Sequence, residues 1–113
     1  MSMVLVIMYD GESLCSDDAL MNWFKERGCQ VNENEIELKD KIIKWNNMRK
    51  VNSLIFTIDI ENDDEFPPIL FEFIGSLKNK DTIISLAEES PSGYQLIFEA
   101  NLKRFREEIM AEE

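Results

Sequence analysis

Histidine is absent from the 113-residue chain, and this absence removes several classes of active site. Without an imidazole there is no Ser-His-Asp or Cys-His nucleophilic site and no His-ligated zinc or haem. General acid–base chemistry would depend on carboxylates, lysines or tyrosines. The composition therefore favours a binding role without catalytic activity.

Glycine is also scarce, with four in the whole chain, and neither GxGxxG nor GxxxxGK[ST] occurs. The loop after the first apolar segment carries Asp10, Glu12, Asp17 and Asp18 instead of the small residues that cradle a phosphate. These carboxylates would repel the phosphate of a flavin nucleotide. We predict that the protein binds no cofactor.

Basic residues are few, with 12 Lys and Arg against 23 Asp and Glu, so the formal net charge is −11. A surface of this charge repels phosphate backbones, which disfavours direct binding of DNA or RNA. The same field attracts a positively charged protein. The sequence therefore predicts a basic protein partner.

Cysteines and long apolar segments are scarce as well. Cys15 and Cys29 lie at either end of a predicted helix, on the order of 15 Å apart, beyond the reach of a disulfide. The N-terminal segment 3–9 is too short to span a bilayer and follows no basic residue, so it is not a convincing signal peptide. We expect free thiols and a cytoplasmic protein without membrane contact.

Hydrophobic residues make up 44% of the chain, enough for one core and a single domain over residues 1–113. Three continuous apolar segments, at 3–9, 51–60 and 82–87, predict strands covered on both faces, as in a parallel sheet. A short, exposed edge strand is predicted within 30–38.

Helices are predicted between these strands. Ser16 is a typical N-cap, and Gly28 a typical stop, for a first helix with Leu20, Trp23 and Phe24 on one face. A second helix is predicted over 39–49, and a third opens at the prolines 67–68. A long C-terminal helix is predicted from the spacing of Phe98, Leu102, Phe105 and Ile109.

Alternation of strands and helices is typical of right-handed βαβ units. The predicted fold class is α/β, a three-layer sandwich with a four-stranded, mostly parallel sheet in a flavodoxin- or receiver-like order. The alternative is an α+β fold in which the 30–38 strand is antiparallel.

Carboxylates follow the predicted strands, and functional groups in open parallel sheets gather at those ends. No basic residue lies in these loops. Immunity proteins that neutralise nuclease toxins, and inhibitors that imitate nucleic acid, need such acidic surfaces. Tyr94 is a candidate aromatic anchor, whereas the helical spacing of Trp45 favours the core. The predicted partner-binding residues are Asp10, Glu12, Asp59, Glu61, Asp63, Asp64, Glu65, Glu88 and Glu89.

A second hypothesis uses the same acids in a different way. The predicted architecture resembles a receiver domain, in which Asp10, Glu12 and Asp59 would bind magnesium and Asp59 would accept a phosphoryl group. A receiver also needs a lysine late in the chain, and none occurs between Asp81 and Leu102. We therefore predict no metal site and keep magnesium-dependent phosphoryl chemistry as the alternative function.

Overall fold

The fold is built on one antiparallel sheet. The computed structural model describes residues 2–60 and 66–110, and its strands are β1 (Ser2–Met8), β2 (Gln30–Asn32), β3 (Glu35–Glu37), β4 (Ile42–Met48), β5 (Ser53–Asp59), β6 (Ile83–Ser90) and β7 (Gly93–Asn101). Within these ranges they form one seven-stranded sheet in the order β2-β3-β4-β5-β1-β6-β7, and each neighbouring pair is antiparallel. The N-terminal strand therefore lies at the centre.

Three helices accompany this sheet in the described ranges: α1 (Asp17–Glu26), α2 (Pro68–Gly75) and α3 (Leu102–Phe105), which a π-helical turn continues over Arg106–Met110. Short 3₁₀ turns lie at Ser13–Cys15 and Arg49–Val51. In the described ranges, none of the helices has the length and hydrophobicity needed to span a bilayer.

The core lies on one face of the sheet. Alternation along β1 buries Leu5 and Ile7, and the same alternation buries Phe56 and Ile58 on β5. Helical side chains cover this face. Phe73 of α2 stacks on Phe24 of α1 at 5.4 Å between ring centroids, and both rings contact Phe56 edge-on. Sheet and helices therefore form two layers around one aromatic cluster.

The predicted parallel, flavodoxin- or receiver-like sandwich is wrong. The segments 4–8, 54–58 and 82–86 do share one sheet, but β1 pairs antiparallel with both β5 and β6. The apolar side chains on their outer face, such as Val4, Val6 and Ile55, remain partly exposed. A continuous apolar segment therefore did not require cover on both faces, which was the physical error in the prediction.

The predicted helix over 39–49 is also wrong, because Ile42–Met48 is strand β4. Ile43 and Trp45 are buried, whereas Lys44 and Asn46 are exposed, which is the period of two of a strand. Ile42 and Trp45 are three residues apart, and this spacing imitated a helical face. Trp45 is in the core as expected, but from a strand.

The long C-terminal helix is replaced by β7 and the short α3. Phe98 lies on β7, and its ring contacts Phe105 of α3 at 6.1 Å between centroids. The chain changes from strand to helix at Asn101, whose side chain accepts a hydrogen bond from the backbone N–H of Arg104 at 2.8 Å. The helical spacing of the aromatic residues thus spanned two different elements.

Segment 30–38 forms a hairpin of two strands, β2 and β3, of which β2 is the sheet edge. The α+β alternative predicted the antiparallel strand direction correctly for this segment, but not for the rest of the sheet. The first predicted helix is confirmed, since Ser16 accepts a hydrogen bond from the N–H of Ala19 at 3.4 Å. The helix that opens at the prolines is confirmed as α2.

Substitution Phe73→Ala removes the ring that joins α1, α2 and β5. We expect the free energy of unfolding to fall by about 3–5 kcal/mol, because a large buried ring leaves a cavity. Urea titration followed by Trp fluorescence measures the change. The control Val51→Ala alters a side chain that is 61% exposed, and it should shift stability by less than about 0.5 kcal/mol. If the free energy of unfolding fell by a similar amount in both variants, the packing described here would be contradicted.

Candidate functional site

The face of the sheet opposite the core has no cover from a described helix. Its side chains alternate with the buried ones, and none of them is buried. We call this surface the open face. It consists of Ser2, Val4, Val6, Met8, Glu35, Glu37, Ile42, Lys44, Asn46, Met48, Ser53, Ile55, Thr57, Asp59, Ile83, Ser85, Ala87, Glu89, Tyr94, Leu96 and Glu99.

Its centre is apolar. Val6 lies opposite Ile55 on one side and Ser85 on the other, and Val4 lies between Thr57 and Ala87. These side chains are only partly covered by their neighbours in the sheet. A flat apolar surface with small polar residues is typical of a protein contact.

Carboxylates dominate the rim of the open face. The register places Glu35 and Glu37 on one side, Glu89 and Glu99 on the other, and Asp59 at the end of β5. The strands contribute a single basic residue to this face, Lys44, which lies between Glu35 and Thr57. The rim therefore carries a net negative charge.

A cavity of about 1090 Å³ lies at one end of the open face, where β1 begins and β5 ends. Asp59 and Glu37 line it together with Lys39, Lys41 and Lys44. The antiparallel fold thus brings lysines of the 38–41 loop beside an acid that the sequence placed in a loop without basic residues. This part of the surface has mixed charge.

Two of the predicted partner-binding acids come together at this end. Asp59 and Glu89 flank Ser2 in the register, about 10 Å apart across β1, and the Ser2 hydroxyl donates to Asp59 at 2.7 Å. Tyr94 lies opposite Glu89 and is 71% exposed, so it is available as an anchor. A hydrogen bond to Glu89 raises the pKa of Tyr94 above its usual value. Glu88, beside Glu89 on β6, points to the other face of the sheet.

Asp10 and Glu12 do not join this group. They follow the opposite end of β1, about 20 Å away along a seven-residue strand. Glu61, Asp63, Asp64 and Glu65 lie outside the described residues, so their predicted role stays a prediction. The acidic loops were predicted to converge because strand ends meet in a parallel sheet, and antiparallel pairing separates them.

Glu12 has a structural role instead of a surface role. It is 8% exposed, and its carboxylate accepts hydrogen bonds from the backbone N–H groups of Lys78, at 2.9 Å, and of Asn79. The Thr82 hydroxyl donates to the same carboxylate at 3.3 Å. This acid therefore ties the loop after β1 to the loop before β6, and it is not available to a partner.

The described residues contain no group of three or more Cys, Asp or Glu side chains arranged to hold a metal ion. Asp10 and Glu12 lie at the other end of β1 from Asp59, so the three acids of the receiver hypothesis do not form one site. That hypothesis also depended on a parallel sheet. It therefore loses its geometric basis.

A second cavity, of about 450 Å³, lies beside the start of α1. The Asn47 side chain bridges its walls, accepting from the Tyr9 hydroxyl at 2.7 Å and donating to Asp17 at 2.9 Å. Arg49 forms an ion pair with the same aspartate. These polar groups bind one another, which fixes β4 to the helix entry.

Cys15 lines this second cavity, and both thiols of the chain are free, as predicted. Burial, followed by the charge of Glu12, raises the pKa of Cys15 to about 12. The thiolate is the nucleophilic form, so this sulfur is unreactive near neutral pH. Cys15 therefore has a packing role.

No protein-family model, no curated protein and no solved structure matches the chain.

Substitution Glu12→Gln tests the structural role of this carboxylate. We expect the free energy of unfolding to fall by about 1–3 kcal/mol, because the neutral side chain loses the charge that strengthens these hydrogen bonds, and its amide nitrogen cannot replace the second carboxylate oxygen as an acceptor from the Lys78 N–H. Chemical denaturation measures it. Asp10→Asn removes the same charge from an exposed neighbour and should change stability by less than about 0.5 kcal/mol. Equal effects would contradict the assignment.

Thiol labelling tests the burial of Cys15. With an aromatic disulfide reagent near pH 8, we expect Cys29→Ser, which retains only Cys15, to react no faster than the protein unfolds. Cys15→Ser retains the half-buried Cys29 and should react faster. Equal rates in the folded state would show that Cys15 is accessible.

Proposed function

We propose that this chain is a non-catalytic cytoplasmic protein-binding module that neutralises a basic partner, in the manner of an immunity or inhibitor protein. The supporting observation is the open face, an uncovered sheet surface with an aliphatic centre and a rim on which carboxylates outnumber basic residues. A nuclease toxin or another nucleic-acid-binding protein is the class of partner with a matching positive surface.

The two parts of this surface have different tasks. The carboxylates of the rim, such as Asp59 and Glu89, stay hydrated and attract a basic surface over long range, which raises the association rate. The apolar centre around Val6 and Ile55 loses its water on contact and determines how slowly the complex dissociates. Exposed Tyr94 adds an amphipathic side chain of the type enriched in interfaces.

Rim charges are tested with a partner recovered by cross-linking from the cells that make the chain. The double variant Asp59→Asn with Glu89→Gln should lower the association rate by about tenfold at low salt. The wild-type rate should fall as ionic strength rises from about 0.05 to 0.5 M, since the Debye length shrinks from about 14 to about 4 Å.

The matched control is Glu26→Gln with Glu107→Gln, which removes the same charge from exposed positions on α1 and the C-terminal turn. Its association rate should stay within about twofold of the wild type. If the association rate falls equally in both double variants, the net charge of the protein alone controls association, and the open face is not the binding surface.

The apolar part of the open face is tested with Met8→Lys, which adds charge to a 42% exposed side chain at the end of β1, two residues from Val6 on the same face. We expect a dissociation rate at least about tenfold faster, because the ammonium group must be desolvated in the interface. Val51→Lys adds the same charge in the turn between β4 and β5 and should leave the dissociation rate unchanged. Equal effects of the two lysines would contradict docking on this face.

A further inference from the structure

The two edges of the sheet differ in length and protection. β2 forms one edge with three residues, whereas β7 forms the other with nine. An edge strand presents unpaired backbone N–H and C=O groups, and proteins usually blunt it with lysine, proline or a covering element. β7 contains no lysine, arginine or proline, and no described strand lies beyond it.

The first half of β7 is exposed and apolar. Tyr94, Leu96 and Ile97 are 71%, 58% and 51% exposed, and residues 93–98 carry no charge. A bulge lies at this point, because Leu86 pairs with Phe98 and Ala87 with Leu96, which leaves Ile97 without a partner on β6. A bulge bends its strand, so further pairing is confined to residues 93–97.

We propose that this half of β7 pairs antiparallel with the same segment of a second copy of the chain, about a twofold axis at Gln95. In this register Tyr94 of each copy lies opposite Leu96 of the other, which gives two aromatic–aliphatic pairs on the open face. Glu99, the one charged residue of β7, falls beyond the paired segment. No like charges are placed opposite each other.

Charge favours a second copy over a basic partner at this edge. A basic strand gains no ion pair from an uncharged segment, whereas two uncharged segments meet without local repulsion. The three residues of β2 are too few to extend the assembly from the other side, so pairing through β7 closes as a dimer. The twofold axis places both open faces on the same side of one continuous sheet.

The exposed area sets the strength of this dimer. Tyr94, Leu96 and Ile97 together expose about 400 Å² per copy, or about 800 Å² for the pair, below the roughly 1,200 Å² of a stable interface. The net charge of −11 on each copy adds long-range repulsion. We therefore expect a dissociation constant of about 0.1–1 mM at high salt, and weaker association at low salt.

Sedimentation equilibrium on the intact chain, up to about 2 mM and at about 0.05 and 0.5 M salt, tests the dimer. Dimerisation that strengthens with salt supports it, and a monomer at the highest concentration and salt overturns it. This response is opposite in sign to that of the basic partner, so the two proposals fail independently.

Matched lysine variants locate the interface. Leu96→Lys should raise the dissociation constant about tenfold or more, because each copy then buries a charge in the pairing. Ile42→Lys adds the same charge to a side chain that is 49% exposed near the other edge, and it should dimerise like the wild type. Circular dichroism establishes that both variants are folded. Equal weakening of both variants overturns the proposal.

Cross-linking tests the register. In a Cys29→Ser background, Gln95→Cys places two thiols on the axis, about 5 Å apart between Cα atoms, within disulfide reach. Glu99→Cys places them about 25 Å apart on the same strands. Faster oxidation to a disulfide-linked dimer in Gln95→Cys supports the register, and equal rates overturn it.

Discussion

The contact of Phe24, Phe56 and Phe73 is the interaction on which the rest of the architecture depends. It joins α1 and α2 to each other and to β5, with ring centroids 5.4 to 6.1 Å apart. Both helices are thereby held on the same face of the sheet. The other face keeps the outward side chains of the strands, and this one-sided arrangement creates the open face.

Local signals in the sequence predicted the local structure well. Ser16, with Asp17 and Asp18 behind it, marks the start of α1, and the prolines at 67–68 mark α2. These signals are reliable because a cap or a ring constraint acts within one helical turn. The predicted core was also right for Leu5, Phe24 and Phe56, with Phe98 only partly buried.

Strand direction was not predictable in the same way, because it depends on which distant segments pair. Val6 fits a parallel strand covered on both faces as well as a central antiparallel strand with one open face. Trp45 shows the corresponding ambiguity between helix and strand. Its spacing of three residues from Ile42 fits one face of a helix, whereas the burial of alternate residues, Ile43 and Trp45, fits a strand.

The candidate site depends on this topology more than on composition. The acids that follow β1 and β5 belong to opposite ends of the sheet, so among the predicted acids that the structure describes, Asp59 and Glu89 lie near each other and Asp10 and Glu12 lie at the other end. No local pattern distinguishes the buried Glu12 from the exposed Asp10. Its partners, the N–H groups of the 78–79 segment, are more than sixty residues away in the chain.

The position of the lysines near Asp59 also depends on the topology of the sheet. Lys39 and Lys41 belong to the connection between β3 and β4, and Lys44 to β4 itself. The antiparallel pairing of β4 with β5 brings all three to the end of β5. The acids of β6 and β7, Glu89 and Glu99, lie away from these lysines, whereas Glu35 and Glu37 of β3 lie beside them. A basic partner centred on β1 would meet carboxylates on both sides of the apolar centre.

The most direct measurement is a methyl-resolved NMR titration of the labelled chain with the proposed basic partner. Binding through the open face should perturb the methyl signals of Val4, Val6 and Ile55 and leave those of Leu20 and Leu70, under the helices, in place. Perturbations concentrated on Leu20 and Leu70, with the open-face methyls unchanged, would contradict the proposed binding surface.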